Sequence, residues 1–244
     1  MNQLRALHVP GSPLILPNAW DADSAKLVEA AGFPVVATSS AAVAAVLGYE
    51  DGHHAPADEM FAAAGRIARA VSVPVTVDAE GGYGLSGAEL AERLKDAGAA
   101  GLNFEDTDHE GSGLVEIATQ AERIAALRAA SPELVINARI DVFLGAEDES
   151  AVLDAAIERA KAYIEAGADC VYPILAKTPE VLGAFVTAVS PAAVNATYLP
   201  GAPDFAELAK LGIARISLGG GLWHVVQGFL KTTLAEIADG KLPY

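Results

Sequence analysis

Residues 73–105 read VPVTVDAEGGYGLSGAELAERLKDAGAAGLNFE, and they predict one complete strand–helix–strand unit. The first run, Val73–Ala79, is short and rich in valine. The next segment, Gly87–Ala97, spaces its apolar residues as a helix does, and a second β-rich run follows at Gly101–Glu105. Two strands that are joined through a helix lie parallel in one sheet. The stretch therefore predicts a parallel sheet covered by helices.

The same pair of segments recurs along the whole sequence. The predicted strands are Pro13–Pro17, Pro34–Ser39, Val73–Ala79, Gly101–Glu105, Leu134–Ile140, Asp169–Ile174, Ala193–Tyr198 and Arg215–Leu218. The predicted helices are Ala22–Ala31, Ala57–Val71, Gly87–Ala97, Ile117–Ala130, Ser150–Ala166, Pro179–Val189, Asp204–Leu211 and Leu222–Ala238. Eight pairs in 244 residues match the size of a closed (β/α)₈ barrel of the TIM type, an α/β fold. We expect a single domain that covers residues 1–244.

Four predicted helices end in Ala-Gly or Leu-Gly directly before the next strand, at Gly32, Gly98, Gly167 and Gly212. Glycine fits the left-handed position that ends a helix and turns the chain into a strand. The alternative fold is an open doubly wound sheet. That fold is disfavoured because no G-x-G-x-x-G follows the first strand, and because polar residues gather at many strand ends instead of at one crevice.

The net charge and the amino-acid composition indicate which partners and which cell compartment are expected. The formal net charge is -16, from 32 acidic against 16 basic residues, so nucleic acid and anionic membrane surfaces would be repelled. No stretch approaches 18 apolar residues without a charged residue, Gly or Pro, so the sequence does not predict a membrane span. The single cysteine, Cys170, cannot form an internal disulfide, and residues 1–13 lack a basic region followed by an apolar one. A cytoplasmic location is the expectation.

Acidic residues fall at the carboxyl ends of the predicted strands, where TIM barrels carry their active sites. Asp78 and Glu80 end the third strand, and a two-residue period predicts that they share a face, as do Asn103 and Glu105 on the fourth. A hard cation such as Mg²⁺ or Mn²⁺ would relieve their mutual repulsion. Helix capping and solvent exposure are the alternative explanation for such acids. The glycines that follow Glu80 favour a ligand site, since they let the backbone approach a ligand closely.

Several motifs, in this order along nearly the whole chain, resemble the isocitrate lyase and phosphoenolpyruvate mutase superfamily. They are LPNAWD (16–21), TSSAAVAAVLGYED (38–51), VDAEGGYG (77–84), NFED (103–106), NARID (137–141) and LGIARISLG (211–219).

The resemblance implies an enzyme that acts on a small 2-oxo or 2-hydroxy carboxylic acid through a Mg²⁺-stabilised enolate, with Mn²⁺ as the alternative ion. By the same resemblance, Asp78 binds the metal directly, and Glu80 and Glu105 bind it through water. Oxyanion donors would come from Ser39, Ser40 and Ala41. The remaining implied residues are Asp51 as the acid of the loop beyond strand two, Arg139 for the substrate carboxylate, and Asn195, on strand seven, where the lyases hold another carboxylate.

The loop after the fourth strand departs from the family pattern. Lyases of the superfamily carry a cysteine there, whereas residues 107–113 read TDHEGSG. We expect Cys170 to be a core residue, because it begins an apolar strand. His109 could replace the thiol as acid or base, or it could be a solvated loop histidine.

Four functional hypotheses remain. The first is a metal-dependent carbon–carbon lyase or decarboxylase of an oxaloacetate-like acid, and the second is phosphorus–carbon chemistry on the same scaffold. The third is a Schiff-base aldolase that uses Lys177. The fourth is a 2-oxo acid binding protein without turnover. A homo-oligomer, either a dimer or a tetramer, is the expected assembly.

Overall fold

Residues 3–242 are described by a computed structural model in which nine parallel strands form one continuous ladder. The strands are β1 (Leu14–Leu16), β2 (Asn18–Ala19), β3 (Val36–Thr38), β4 (Val75–Asp78), β5 (Gly101–Glu105), β6 (Val135–Ile140), β7 (Cys170–Pro173), β8 (Ala193–Thr197) and β9 (Arg215–Ser217). The helices are α1 (Gln3–Ala6), α2 (Ala22–Ala30), α3 (Ser40–Leu47), α4 (Ala57–Ala70), α5 (Gly87–Asp96), α6 (Ile117–Ala130), α7 (Glu149–Glu165), α8 (Pro179–Val189), α9 (Phe205–Lys210) and α10 (Gly221–Ala238).

The predicted first strand is broken into two pieces, and this break explains why nine strands appear instead of eight. β1 pairs with β9 and β2 pairs with β3, at opposite ends of the ladder. Pro17 lies between the two pieces and has no N–H to donate, so the strand is interrupted there. Because β1 and β2 are consecutive in the chain, the broken strand closes the ladder into an α/β barrel of the TIM type, as predicted.

The strands supply the centre of the core, and the helices cover them. The central positions of β4 to β8 are buried, as expected for strands covered on both faces. The α4 helix turns Met60, Phe61, Ala64 and Ile67 toward the sheet. Cys170 is fully buried in β7, so the core assignment made from the sequence is confirmed.

Most predicted elements agree with the structure to within one or two residues. The four glycines at helix ends all have positive φ, from 76° at Gly98 to 106° at Gly167, which confirms the left-handed turns. Two helices were not predicted, namely α1 and α3. The α3 helix starts directly after β3, and its amino terminus points toward the carboxyl ends of the strands, where the candidate site lies.

The last helix, α10, differs from the others because it carries no buried residue. Val225 and Phe229 are 69% and 74% exposed, and Leu234 is 55% exposed. In the part of the chain that the structure describes, no helix is both long enough and apolar enough to cross a membrane.

Candidate active site at the carboxyl ends of the strands

Asp78 is the last residue of β4 and lies between two neighbouring elements. Its Oδ2 atom accepts a hydrogen bond of 3.0 Å from the backbone N–H of Ser40, at the start of α3. Its Oδ1 atom lies 3.4 Å from Nδ2 of Asn103 on β5. The backbone N–H of Asp78 donates to the Thr38 hydroxyl at 2.8 Å. These contacts from β3, α3 and β5 fix the position of the carboxylate at the barrel rim.

Glu80 lies beyond the end of β4, so the strand period that predicted its shared face with Asp78 does not apply to it. Its φ is 48°, an uncommon value for a residue with a side chain. The turn nevertheless buries the carboxylate, which is 2% exposed. Oε2 accepts from the backbone N–H of His53 at 2.6 Å, and Oε1 accepts from the Tyr83 hydroxyl at 3.0 Å. Burial raises the pKa of Glu80, and the nearby Asp51 and Asp78 raise it further.

Glu105 ends β5 and is engaged at both oxygens. Oε1 lies 2.5 Å from Nε2 of His109, and Oε2 lies 2.6 Å from Nη1 of Arg139. Burial raises the pKa of Glu105 to about 7, against the hydrogen bond from His109 and the charge of Arg139. Arg139 also donates two hydrogen bonds to the Asp141 carboxylate, from Nε at 2.7 Å and from Nη2 at 2.8 Å. One arginine therefore holds two carboxylates together at the ends of β5 and β6.

Asp51 lies in the loop between α3 and α4 and approaches the same group of acids. Burial of its carboxyl raises its pKa, and the charge of Asp78 does the same. The Ser40 hydroxyl and Arg139 act in the opposite direction. Although the residue as a whole is exposed, its carboxyl therefore faces Ser40 and Asp78 rather than open solvent.

Two histidines stack above the acids. The rings of His53 and His109 have centroids 3.9 Å apart and planes 26° apart. Nε2 of His53 accepts the backbone N–H of Gly81 at 3.0 Å, so that nitrogen carries no proton. Burial, together with the nearby His109 and Arg123, lowers the pKa of His53 to about 4. The hydrogen bond with Glu105 raises the pKa of His109. A neutral imidazole therefore stacks on one that holds a proton more tightly.

The donor set fits a hard divalent cation. Burial is the largest cause of the raised pKa of Tyr83. The negative charges of Asp78, Glu80 and Glu105 raise it further, so all three acids lie near its hydroxyl. Burial makes ionisation of Glu80 and Glu105 costly, and a cation would remove that cost. Ligand atoms of His53, Glu80 and His109 also lie within 4.8 Å of one another, but Nε2 of each histidine is already hydrogen-bonded within the protein.

The other predicted site residues are placed differently. Ser39 is buried just before α3, and its N–H donates to the carbonyl of Ala19. Ala41 is exposed in the first turn of α3. Asn195 is fully buried inside the barrel, where its Nδ2 donates to the Ser217 hydroxyl at 3.0 Å. It therefore lies below the rim on which the acids meet.

Asp106 has a supporting position behind the site. Its carboxylate accepts from Arg159 Nη1 at 3.0 Å, from the Tyr163 hydroxyl at 2.7 Å and from the N–H of Asp141 at 2.8 Å. Through that last bond it fixes Asp141, the partner of Arg139. No feature of the sequence separates this buried acid from the rim acids beside it.

The loop after β5 forms the wall of an open cavity of about 640 Å³. Thr107 and Leu114 close the loop as an antiparallel bridge, and His109 lies between them on the cavity wall. Asp108, Glu110 and Glu116 give this wall a negative charge, opposed by Arg123. The sequence alone left open whether His109 is solvated, and the structure places it against Glu105 with 12% of its side chain exposed.

Known proteins are similar to this chain in sequence and in fold. The family model described as phosphoenolpyruvate phosphomutase matches residues 4–238. An uncharacterized protein of Mycobacterium tuberculosis is 37% identical over 98% of this chain and 92% of its own. The oxaloacetate decarboxylase of Rhodopseudomonas palustris is 34% identical over 98% of this chain and 85% of its own. The crystal structure of a candidate phosphonomutase from Burkholderia cenocepacia superposes with a TM-score of 0.89, at 40% identity, over 95% of this chain and 97% of that one.

Proposed function

Because the chain belongs to the phosphoenolpyruvate phosphomutase family, we propose that it is a Mg²⁺-dependent carbon–carbon lyase or decarboxylase of a small 2-oxo or 2-hydroxy acid. The observation that carries this proposal is that Asp78 and Glu105 end the paired strands β4 and β5, with Glu80 just beyond β4 and Arg139 2.6 Å from Glu105. An oxaloacetate-like diacid is the substrate class that we favour, and Mn²⁺ is the alternative ion. The similarity to an oxaloacetate decarboxylase supports the same choice.

The metal would be held by Asp78 directly and by Glu80 and Glu105 through water. Both oxygens of each of the three carboxylates accept hydrogen bonds or ion pairs from protein groups, so the division into direct and water-mediated contacts rests on the family resemblance. When bound, Mg²⁺ supplies the positive charge that stabilises an enolate as carbon dioxide leaves the substrate. The backbone N–H of Ser40 donates to Oδ2 of Asp78, so it orients the carboxylate that is proposed to bind the metal.

Arg139 and His109 are the groups proposed to act on the substrate. Arg139 is the cation at the rim, and a substrate carboxylate would share it with Asp141 and Glu105. His109 is hydrogen-bonded to Glu105, which supports the proposal that it returns a proton to the enolate carbon. Cys170 cannot do this, because it is fully buried and burial raises the pKa of its thiol to about 12. Asp51 is proposed to orient Ser40.

Phosphorus–carbon chemistry is the second candidate, and it is favoured by the structural similarity to the candidate phosphonomutase. The loop after β5 argues against it, because residues 107–113 (TDHEGSG) lack the Lys-x-Asn-Ser arrangement that phosphonate-handling members of the superfamily carry there. Lys177, the amine of the Schiff-base hypothesis, is exposed four residues beyond the end of β7, away from the rim acids.

The test is pyruvate release from oxaloacetate, corrected for decarboxylation by the free metal, with and without EDTA. Asp78→Ala is compared with Asp58→Ala, whose side chain is 75% exposed on α4. Chelator-sensitive turnover that is lost only in Asp78→Ala supports the proposal. Turnover of phosphonopyruvate instead would favour the second candidate. Binding of oxalate with Mg²⁺ but no turnover of either acid would identify a binding protein.

A further inference from the structure

A buried arginine lies in the barrel interior below the rim acids. Arg215 is on β9 and is 1% exposed. Its Nη2 atom crosses the barrel and donates to Oδ1 of Asn103 on β5 at 2.9 Å. The Nδ2 atom of Asn137, on the neighbouring strand β6, donates to the same oxygen at 2.8 Å. Two donors from different strands thus converge on one atom of the Asn103 amide.

This convergence fixes the orientation of the amide. Only the oxygen of an amide accepts hydrogen bonds, so the atom that faces Arg215 and Asn137 must be Oδ1. Nδ2 of Asn103 must then face Oδ1 of Asp78, 3.4 Å away. A reversed amide would set its oxygen against the Asp78 carboxylate and its NH₂ group against the guanidinium. Both contacts would be repulsive.

The charge of Arg215 is poorly compensated where it lies. In the part of the chain that the structure describes, no carboxylate lies within ion-pair distance of it, and Nε and Nη1 have no hydrogen-bond partner there. Burial lowers the pKa of Arg215, whereas Asp78 is a carboxylate that acts to raise it. A buried cation with an incomplete set of partners destabilises the fold, so stability does not account for it.

We propose that Arg215 is a positioning residue of the candidate cation site, which acts through the Asn103 amide to hold the Asp78 carboxylate in place. Arg215 touches neither substrate nor cation. It ensures that a donor, not an acceptor, lies behind Asp78. The inference rests on the proposed function, because it takes Asp78 as the residue that binds the metal.

Two physical effects of removing Arg215 have opposite signs, which makes the inference testable. Loss of a buried positive charge, taken alone, would strengthen the binding of a dication to the neighbouring acids. Loss of one of the two donors to Asn103 Oδ1 would loosen the amide and weaken the binding, because groups that orient a metal ligand typically contribute about 10- to 100-fold in metal affinity. The positioning role therefore predicts weaker binding, and a pure charge effect predicts tighter binding.

The experiment measures Mn²⁺ dissociation constants by electron paramagnetic resonance, without substrate, for wild type, Arg215→Met, Asn103→Ala and the double variant. We expect each single variant to bind Mn²⁺ about 10- to 100-fold more weakly. The double variant should be no weaker than the weaker single one, because both act along one path. Thermal unfolding of each protein checks that the barrel is intact.

The outcomes separate the inference from the proposed function. Unchanged or tighter Mn²⁺ binding by Arg215→Met, or effects that add in the double variant, would overturn the role of Arg215 and leave the metal site standing. No Mn²⁺ binding by wild type would overturn the metal site and the inference together. If Arg215→Met does not fold, Arg215→Lys takes its place in the same cycle, since it keeps the charge but not the planar fork.

Discussion

The Nε2 atom of His109 lies 2.5 Å from Oε1 of Glu105, so a hydrogen bond joins the loop after β5 to the end of that strand. Burial raises the pKa of Glu105 to about 7, and the hydrogen bond between the two side chains raises the pKa of His109. Below about pH 7 the pair keeps a proton that a divalent cation has to displace.

The affinity for Mg²⁺ should therefore increase as the pH rises from 6 to 8. In His109→Asn the increase should move to higher pH, because the hydrogen bond that lowers the pKa of Glu105 is lost. The stability of the metal-free protein should change in the opposite direction. Because the pKa of Glu105 is raised in the folded state, its contribution to stability is lost as the pH rises through about 7. Calorimetric titrations at several pH values test this, with the exposed His54→Asn as control. Equal affinities at pH 6 and 8 would contradict it.

Arg139→Lys should reduce turnover strongly while the protein stays folded. Arginine binds Asp141 through two bonds and Glu105 through a third, whereas lysine has one charged nitrogen and cannot reproduce this fork. We expect kcat/KM for the accepted 2-oxo acid to fall about 10²- to 10³-fold. Arg93→Lys is the matched control, since Arg93 pairs with Asp58 on the surface. Similar activity of the two variants would refute the assigned role.

Asp106→Asn should destabilise the protein by about 3 kcal/mol, because it removes the buried carboxylate that faces Arg159. Tyr163→Phe, which removes one hydrogen bond to the same carboxylate, should cost about 1 kcal/mol. Urea unfolding measures both free energies. If the two variants cost the same, the charge of Asp106 does not stabilise this part of the barrel.

The exposed apolar residues of α10 predict self-association. Val226, Phe229, Leu230 and Ile237 are exposed along one side of the helix, and an apolar groove lined by Trp20, Leu27 and other residues lies beside its start. Phe229→Glu should therefore lower the molar mass found by light scattering to that of the monomer. Ala235→Glu adds the same charge on the other side of α10 and should leave the mass unchanged. A monomeric wild-type protein would exclude the predicted homo-oligomer.

The glycines at helix ends predict unequal effects of the same substitution. At Gly32 an added Cβ would meet no atom within 4 Å, so Gly32→Ala should cost only the backbone strain of φ 88°, about 1 kcal/mol. At Gly167 the φ is 106° and the Cβ would lie 2.9 Å from Cγ of Arg128, whose guanidinium pairs with Asp169. Gly167→Ala should cost at least twice as much in thermal or urea unfolding. Equal costs would show that Arg128 moves aside freely.

The (β/α)₈ barrel could be predicted from the sequence because its signals are local and repeated. The spacing of apolar residues, strand-forming runs and terminal glycines act within a few residues of one another, and they fixed elements such as Gly101–Glu105 and Ile117–Ala130 to the residue. The break at Pro17 and the helix α3 were missed. The break at Pro17 depends on which strands pair with residues on either side of it. The helix α3 is an alanine-rich run directly after a predicted strand, so no separate helix was predicted there.

The group of acidic residues at the barrel rim could also be predicted from the sequence, because the carboxyl ends of the strands in a parallel barrel meet at one edge. Asp78 and Glu105 needed only their places at the ends of β4 and β5 to be predicted near each other. The position of Glu80 depends instead on a turn with positive φ, which a two-residue period cannot describe.

Only the tertiary structure decided which polar groups meet across the barrel. The Arg215 and Asn103 side chains are joined by a 2.9 Å hydrogen bond although they are 112 residues apart, and the stacked pair of His53 and His109 comes from two different loops. Residue type and spacing determine which face of a strand a side chain occupies. Contacts between distant strands depend on barrel closure and strand register, which arise from the packing of the whole chain.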